Sequence, residues 1–295
     1  MILTASRFLD PKNDIVFKKI FGSHPHLVKS FLNAVLPLPD DGLIDTIEYL
    51  PGEQVPTIPT MKNTIVDVKC CDQKGRIFIV EMQMQWSDSF AKRLTFGVAR
   101  AYVNQLDRGK VYESLCPVYG LGIINDVFDK DTAEWYHHYK TVNIRDDKKV
   151  LEGLELVFIE LPKFTPRSHM ERKLGVLWLR FLNEIDKYQE IPSEFRDSVE
   201  LSEAIELSQE SAYTRGELEA YDRYWDAVSV ERTVIVDALA KGHRKGREEG
   251  REEGREEGER LKAIKTAKIM KIKGLGIPMI AECTGLSESE IEKLT

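Results

Sequence analysis

The segment Ile65–Gln85, IVDVKCCDQKGRIFIVEMQMQ, constrains the fold more than any other part of this chain. Apolar and polar residues alternate on both sides of Asp72-Gln73-Lys74-Gly75, the pattern of two half-buried strands joined by a tight turn. A Gly closing a short polar loop suits a three-residue hairpin whose last loop position is left-handed. With Asp72 and Arg76 flanking Gln73–Gly75, paired residue numbers have a constant sum, and Asp67 falls opposite Glu81. Side chains alternate with period two, so Ile65, Asp67 and Lys69 share a face with Ile79, Glu81 and Gln83. Val66, Val68 and Cys70 with Phe78, Val80 and Met82 form the other, apolar face.

Two carboxylates in direct opposition repel, their Cβ atoms only about 5 Å apart. A hard divalent cation would compensate, because Mg²⁺ prefers oxygen ligands and is held by one or two carboxylates, with waters or phosphates at its other positions. The alternative is a solvated sheet face on which both acids stand idle. The pattern alone leaves the two readings open, since the register is itself an inference.

An Asp late in one strand and Glu-x-Gln in the next, here Asp67 and Glu81-Met82-Gln83, resembles the PD-(D/E)XK nuclease superfamily. The stretch Asp14–Gly22 (DIVFKKIFG), with Arg100-Ala101-Tyr102, Gln105, Gly109 and Tyr112 after the hairpin, resembles more specifically the PD-(D/E)XK nuclease family transposases, relatives of the recombination-promoting nucleases. The resemblance implies an α/β fold with a restriction-endonuclease-like core, a mixed sheet flanked by helices. It further implies a metal-dependent DNA endonuclease that hydrolyses phosphodiester bonds with Mg²⁺ or Mn²⁺, associated with recombination or mobile elements. Carried over residue by residue, Asp67 and Glu81 are the metal ligands, Gln83 and Asp14 further catalytic residues, and Arg100 and Gln105 contacts to DNA.

Two departures matter unequally. Val66 stands where the superfamily name has Pro, with little effect on the liganding Asp. Gln83 stands where the name has Lys, and an amide can orient a water but cannot supply positive charge or take a proton near neutral pH. The base is therefore unassigned. Lys69, on the face of Asp67, is either its replacement or a surface lysine. A second reading of the whole chain follows, a catalytically inactive nuclease-derived scaffold that binds nucleic acid or a protein partner.

The net charge of −7 over 295 residues and a pI near 5.6 oppose tight non-specific DNA binding and leave only a local basic patch for it. No apolar run reaches membrane-spanning length, and the first residues lack a secretory pattern, so a cytoplasmic protein is expected. Cys70 and Cys71 are neighbours, and Cys116 and Cys283 stand alone, which gives neither a disulfide framework nor a zinc knuckle.

Around the hairpin, Asp10-Pro11 signals a helix start, with Asp14 in the early turns, and a second amphipathic helix continues through Phe31–Leu36. A strand at Ile44–Leu50 and a Pro-rich connector at Pro51–Pro59 lead into the hairpin. After it, Ser87 or Asp88 caps a helix with Phe90, Leu94, Val98 and Ala101 on its apolar face and Arg93 and Arg100 together on another. Strands are predicted at Val118–Ile124, Glu134–Ile144 and Leu154–Leu161. His137 and His138 then point to opposite faces. The chain is nearly all helical from Met170.

The organisation expected is a nuclease-like core over 1–165, a helical region over 166–241, a repeat linker or helix over 242–260 and a small helical unit over 261–295. The repeat, Gly-Arg-Glu-Glu, places Gly at 246, 250, 254 and 258. On a helix this period puts glycines, arginines and glutamates in separate stripes. It reads either as a solvated linker or as a helix that a second copy approaches, giving a homo-oligomer through the C-terminal helical region. Ile277–Leu294 has a helix-turn-helix look, but its second helix is acidic and would repel phosphates.

Overall fold

The computed structural model describes residues 7–54, 64–65, 67–106, 111–165 and 173–294. Val66, Gly109, residues 55–63 of the Pro-rich connector and the expected helix start near Met170 lie outside them. The chain divides into two units, Met1–Val228 and Ser229–Thr295.

In the first unit the hairpin forms as its turn chemistry dictates. Strands β4 (Val68–Asp72) and β5 (Ile77–Gln83) pair antiparallel with Val68 opposite Val80 and Cys70 opposite Phe78. Gly75 closes the loop at φ +76°, and the Gly75 N–H donates to the Asp72 carbonyl over 3.0 Å. A side-chain clamp locks the turn. Asp72 Oδ1 accepts the N–H groups of Lys74 and Arg76 at 3.0 and 2.9 Å, and its Oδ2 accepts Arg76 Nε at 2.7 Å. Arg76 Nη2 donates onward to the Gly42 carbonyl, 2.6 Å away.

One part of the hairpin differs from expectation. Ile65 does not continue the long strand opposite Gln83. It belongs to a separate pair, β2 (Glu53–Gln54) with β3 (Thr64–Ile65), in which it faces Glu53. Alternation of residue types carries no information about which of two partners a strand end selects.

The hairpin lies inside a six-stranded mixed sheet that also takes in β1 (Ile47–Tyr49), β6 (Val118–Ile124), β7 (Tyr136–Asn143) and β8 (Asp146–Glu160), in the order β1-β4-β5-β6-β8-β7. The run β5-β6-β8 is parallel, with Glu81 beside Gly122 on β6, and the flanking pairings are antiparallel. Every residue of β6 is buried, as a central parallel strand requires. β8 starts eight residues earlier than Leu154, because the charged stretch from Asp146 pairs back on β7 in a largely exposed hairpin.

Helices cover both faces. On one, Val68, Cys70, Phe78 and Val80 pack with α1 (Asp14–Phe21), α2 (Pro25–Val35), α4 (Lys173–Glu184) and α5 (Val199–Ser208) in the larger core, around the fully buried Trp178. On the other, Ile77 and Ile79 pack with α3 (Asp88–Val103) through Phe90, Leu94 and Val98. The face carrying Asp67 and Glu81 is therefore no open sheet surface. Gly120 and Gly122 of β6 permit the approach of α3: a Cβ at Gly120 would stand 2.6 Å from Val98, and one at Gly122 would stand 3.1 Å from Phe90.

Asn13, rather than Asp10, caps α1, its Oδ1 accepting the Ile15 N–H at 3.0 Å. Asp10 instead forms a buried ion pair with Lys12 at 2.8 Å. Ser87 caps α3 as expected, and β6 matches its expected limits. The second unit contains most of α6 (Arg215–Ile272), with α7 (Ile277–Thr284) and α8 (Glu288–Glu292) around Ala267, Ile280, Leu286 and Ile291. The glycine repeat is helical throughout.

The Asp72 clamp yields a stability prediction. Asp72→Ala strands the Arg76 guanidinium in a site where it is 9 % exposed. Urea unfolding is expected to show a loss of about 3–5 kcal/mol, the usual cost of breaking a buried pair from one side.

Candidate active site

Three elements deliver the site. Asp67 immediately precedes β4, and its Oδ2 accepts the Met82 N–H of β5 at 2.8 Å, which ties the carboxylate across the hairpin. Glu81 lies in β5 beneath α3, 3 % exposed. Its Oε2 receives Arg93 Nη2 from α3 at 3.0 Å, and the same Nη2 lies 3.0 Å from Gln83 Oε1. Asp14, the first residue of α1, pairs with Lys18 one turn on at 2.7 Å, and Lys18 Nζ stands 3.7 Å from Asp67 Oδ1.

The acids are electrostatically coupled. Burial raises the pKa of Asp67 above the usual carboxylate range; the Met82 N–H and the Lys18 charge oppose this, and the Asp14 charge adds to it. Burial likewise raises Glu81, with Arg93 pulling the other way and the Asp67 charge reinforcing the rise. Partial burial disfavours charge on Lys18, but its bond to Asp14 and the field of Asp67 outweigh it, and its pKa is raised.

Glu81 Oε1 is buried and has no hydrogen-bond partner, one of two such side-chain atoms among the described residues. Leaving a carboxylate oxygen unpaired out of water is costly, and in a native site such an atom calls for an ion or a water. The donor set of two facing carboxylates with a free buried oxygen suits a hard cation that completes its shell with waters. Among the described residues no cluster of three or more His, Cys, Asp or Glu is assembled to hold a metal.

The other anticipated residues take separate places. Arg100, on α3, lies 5.9 Å from the Phe96 ring centre, and its charge reaches Lys69. Lys69 has a lowered pKa, from burial first and Arg100 second. The amide of Gln105 is used on both sides by the backbone of Cys116, donating to its carbonyl and accepting its N–H, each at 2.9 Å. His137 and His138 bond separately to Glu160 and Glu155, each at 2.7 Å.

Sequence reasoning did not select Lys18, and it placed Arg93 only on one face of its helix with Arg100. A signal existed for each: Lys18 follows Asp14 by four in a helix that carries an acid of interest, and Arg93 is the first arginine of the helix that follows the Glu-x-Gln strand.

A mixed sheet sandwiched between helices, with acids on a central hairpin, defines a nuclease-like α/β protein of the restriction-endonuclease type. The chain belongs to the PD-(D/E)XK nuclease family transposases, whose family model matches residues 11–237. The glycine repeat and the C-terminal helices lie beyond that match. No curated protein and no solved structure matches this chain. No helix among the described residues is long and apolar enough to cross a membrane.

The raised Asp67 pKa gives a prediction with a definite sign. A carboxyl that binds its proton more tightly when folded loses stability as pH rises from the ordinary carboxylate range through its raised value. Without divalent ions, Asp67→Asn is expected to raise Tm by a few degrees at pH 7.5, with the gain shrinking as pH falls to 4. Thermal melts across that range check it, and a gain independent of pH would contradict the assignment.

Proposed function

We propose that this chain is a divalent-metal-dependent DNA nuclease that hydrolyses phosphodiester bonds at the Asp67–Glu81 site. The observation that carries the reading is the buried, unpartnered Oε1 of Glu81, next in the strand to the Met82 N–H that holds Asp67, in a family defined by nuclease chemistry. Asp67 and Glu81 would hold Mg²⁺ or Mn²⁺. A divalent ion bound there supplies Lewis-acid polarisation of the scissile phosphate and a water acidic enough to attack near neutral pH.

The remaining roles follow from charge and reach. Gln83 orients the water or the phosphate through its amide. The positive charge that Gln83 lacks comes from Arg93, whose Nη2 lies 3.0 Å from both Glu81 Oε2 and Gln83 Oε1. An arginine offers a planar fork of donors to a phosphate and cannot act as a base at any physiological pH. Lys18, held protonated by Asp14 and Asp67, offsets their charge rather than accepting a proton. Asp14 anchors Lys18 and extends the acidic set, Arg100 meets the DNA backbone further along α3, and Gln105 steadies the segment leading into β6.

Purified protein with supercoiled DNA and Mg²⁺ or Mn²⁺ is expected to nick in a metal-dependent way that EDTA abolishes. Asp67→Ala and Glu81→Ala should each lose about 100-fold or more, the scale of removing a central electrostatic group. Arg93→Ala should lose about 10–100-fold, mainly in kcat, with partial recovery in Arg93→Lys. Unchanged cleavage in Glu81→Ala would place the activity elsewhere. A folded protein that neither cleaves nor binds Mn²⁺ would favour the inactive scaffold.

A further inference from the structure

The arginine of α3 that reaches the acids is the first member of a row. Arg93, Phe96 and Arg100 follow one another at spacings of three and four, which keeps them within about 60° on the helix, while Phe90, Leu94 and Val98 turn into the core. The row begins at the site, where Arg93 Nη2 lies 3.0 Å from Glu81 Oε2 and from Gln83 Oε1. Seven residues on, Arg100 stands about 10 Å further along the axis. Between the two arginines the Phe96 ring is 42 % exposed, and among the described residues it is part of neither hydrophobic core of the sheet. The Arg100 guanidinium lies 5.9 Å from its centre. A third cation stands on the strand side: Lys69 of β4, opposite Ile79 and half-buried, has Arg100 and Cys71 as its electrostatic neighbours and no carboxylate among them.

We infer, on the reading of Asp67 and Glu81 as the cleavage site, that this row seats a single DNA strand running from that site. The scissile phosphate meets Arg93, an unpaired base stacks on Phe96, and a further phosphate sits between Arg100 and Lys69. The substrate class is DNA whose strand is unpaired beside the cut, as in a single strand, a flap or a frayed end.

The cations alone suit any phosphate backbone; the ring decides between the two forms of DNA. In a duplex the face of each base is covered by the next pair, and an aromatic side chain on a helix surface meets only sugar and phosphate. An unpaired base offers a free π-face, and stacking on it tolerates every sequence. Like charges at Arg100 and Lys69 repel, and a phosphate between them removes that cost. Net charge argues in the same direction. At −7 the chain has no broad positive surface with which to hold a duplex, whereas stacking adds affinity that does not depend on charge.

Fluorescence anisotropy of the full-length protein without divalent ions measures binding apart from cleavage. A labelled oligonucleotide is expected to bind about tenfold more tightly as a single strand than as the duplex with its complement, at one salt concentration. Phe96→Ala and Phe96→Leu should each lose about tenfold on the single strand and leave the duplex unchanged, while Phe96→Tyr, which keeps the π-face, holds wild-type affinity. Lys69→Ala and Arg100→Ala should weaken single-strand binding and each lower its salt slope by about 0.7. Equal affinity for the two forms, a Phe96→Leu protein that binds the single strand like wild type, or salt slopes unchanged in both cation variants would each overturn the proposal. The nuclease reading fails separately. Metal-dependent cleavage that Glu81→Ala abolishes, together with a silent Phe96→Leu, keeps the nuclease and removes the strand track; binding that depends on Phe96 without any cleavage keeps the track and removes the nuclease.

Discussion

Opposition of Asp67 and Glu81 across one hairpin is the constraint on which the site depends, and much of the surrounding structure keeps it tolerable. Burial raises the pKa of both carboxyls, and the Asp67 charge raises that of Glu81 further. The protein answers with partial remedies from three directions: the Met82 N–H on one Asp67 oxygen, Lys18 from α1 beside the other, and Arg93 from α3 on Glu81. None reaches Glu81 Oε1. A folded protein that keeps such an atom stores destabilisation where a bound cation would relieve it, the usual relation between stability and function at a site.

The layers around the hairpin serve that geometry. The Asp72–Arg76 clamp and Gly75 set the turn, and the turn sets the register. Two glycines on β6 let α3 lie close enough to the sheet for Arg93 to reach Glu81. On the far side, α1 brings Asp14 and Lys18 to the mouth of the same hairpin. Cations from two helices on opposite faces of the sheet thus meet acids from one pair of strands. In this family member, with Gln83 where the superfamily name has Lys, that meeting places positive charge at the site without a lysine on the strand.

The hairpin was legible because its information is local. Alternation assigns faces, a Gly-terminated polar loop assigns the turn, and a turn of known length assigns opposition residue by residue. The Ser87 cap, the apolar face of α3 and the central β6 were readable on the same grounds. Other positions have tertiary commitments that a local reading leaves out. Asp10-Pro11 looks like a helix cap, yet Asp10 is committed to Lys12 in the interior and the capping falls to Asn13. Gln105, suggested for DNA by resemblance, has both ends of its amide bonded to the Cys116 backbone, a contact across eleven residues that spacing does not reveal.

By itself, the sequence determined the register of the hairpin from Val68 to Val80, which of its side chains share a face, and the period-four row of the long C-terminal helix, since each follows from backbone periodicity and turn length. Only the tertiary structure decided that the acidic face lies under α3 rather than in water, that Lys18 and Arg93 complete the charge set, and that one oxygen of Glu81 has no partner. Those outcomes depend on where separate helices pack against the sheet. That packing is settled by long-range burial and close backbone approach, which no local pattern encodes.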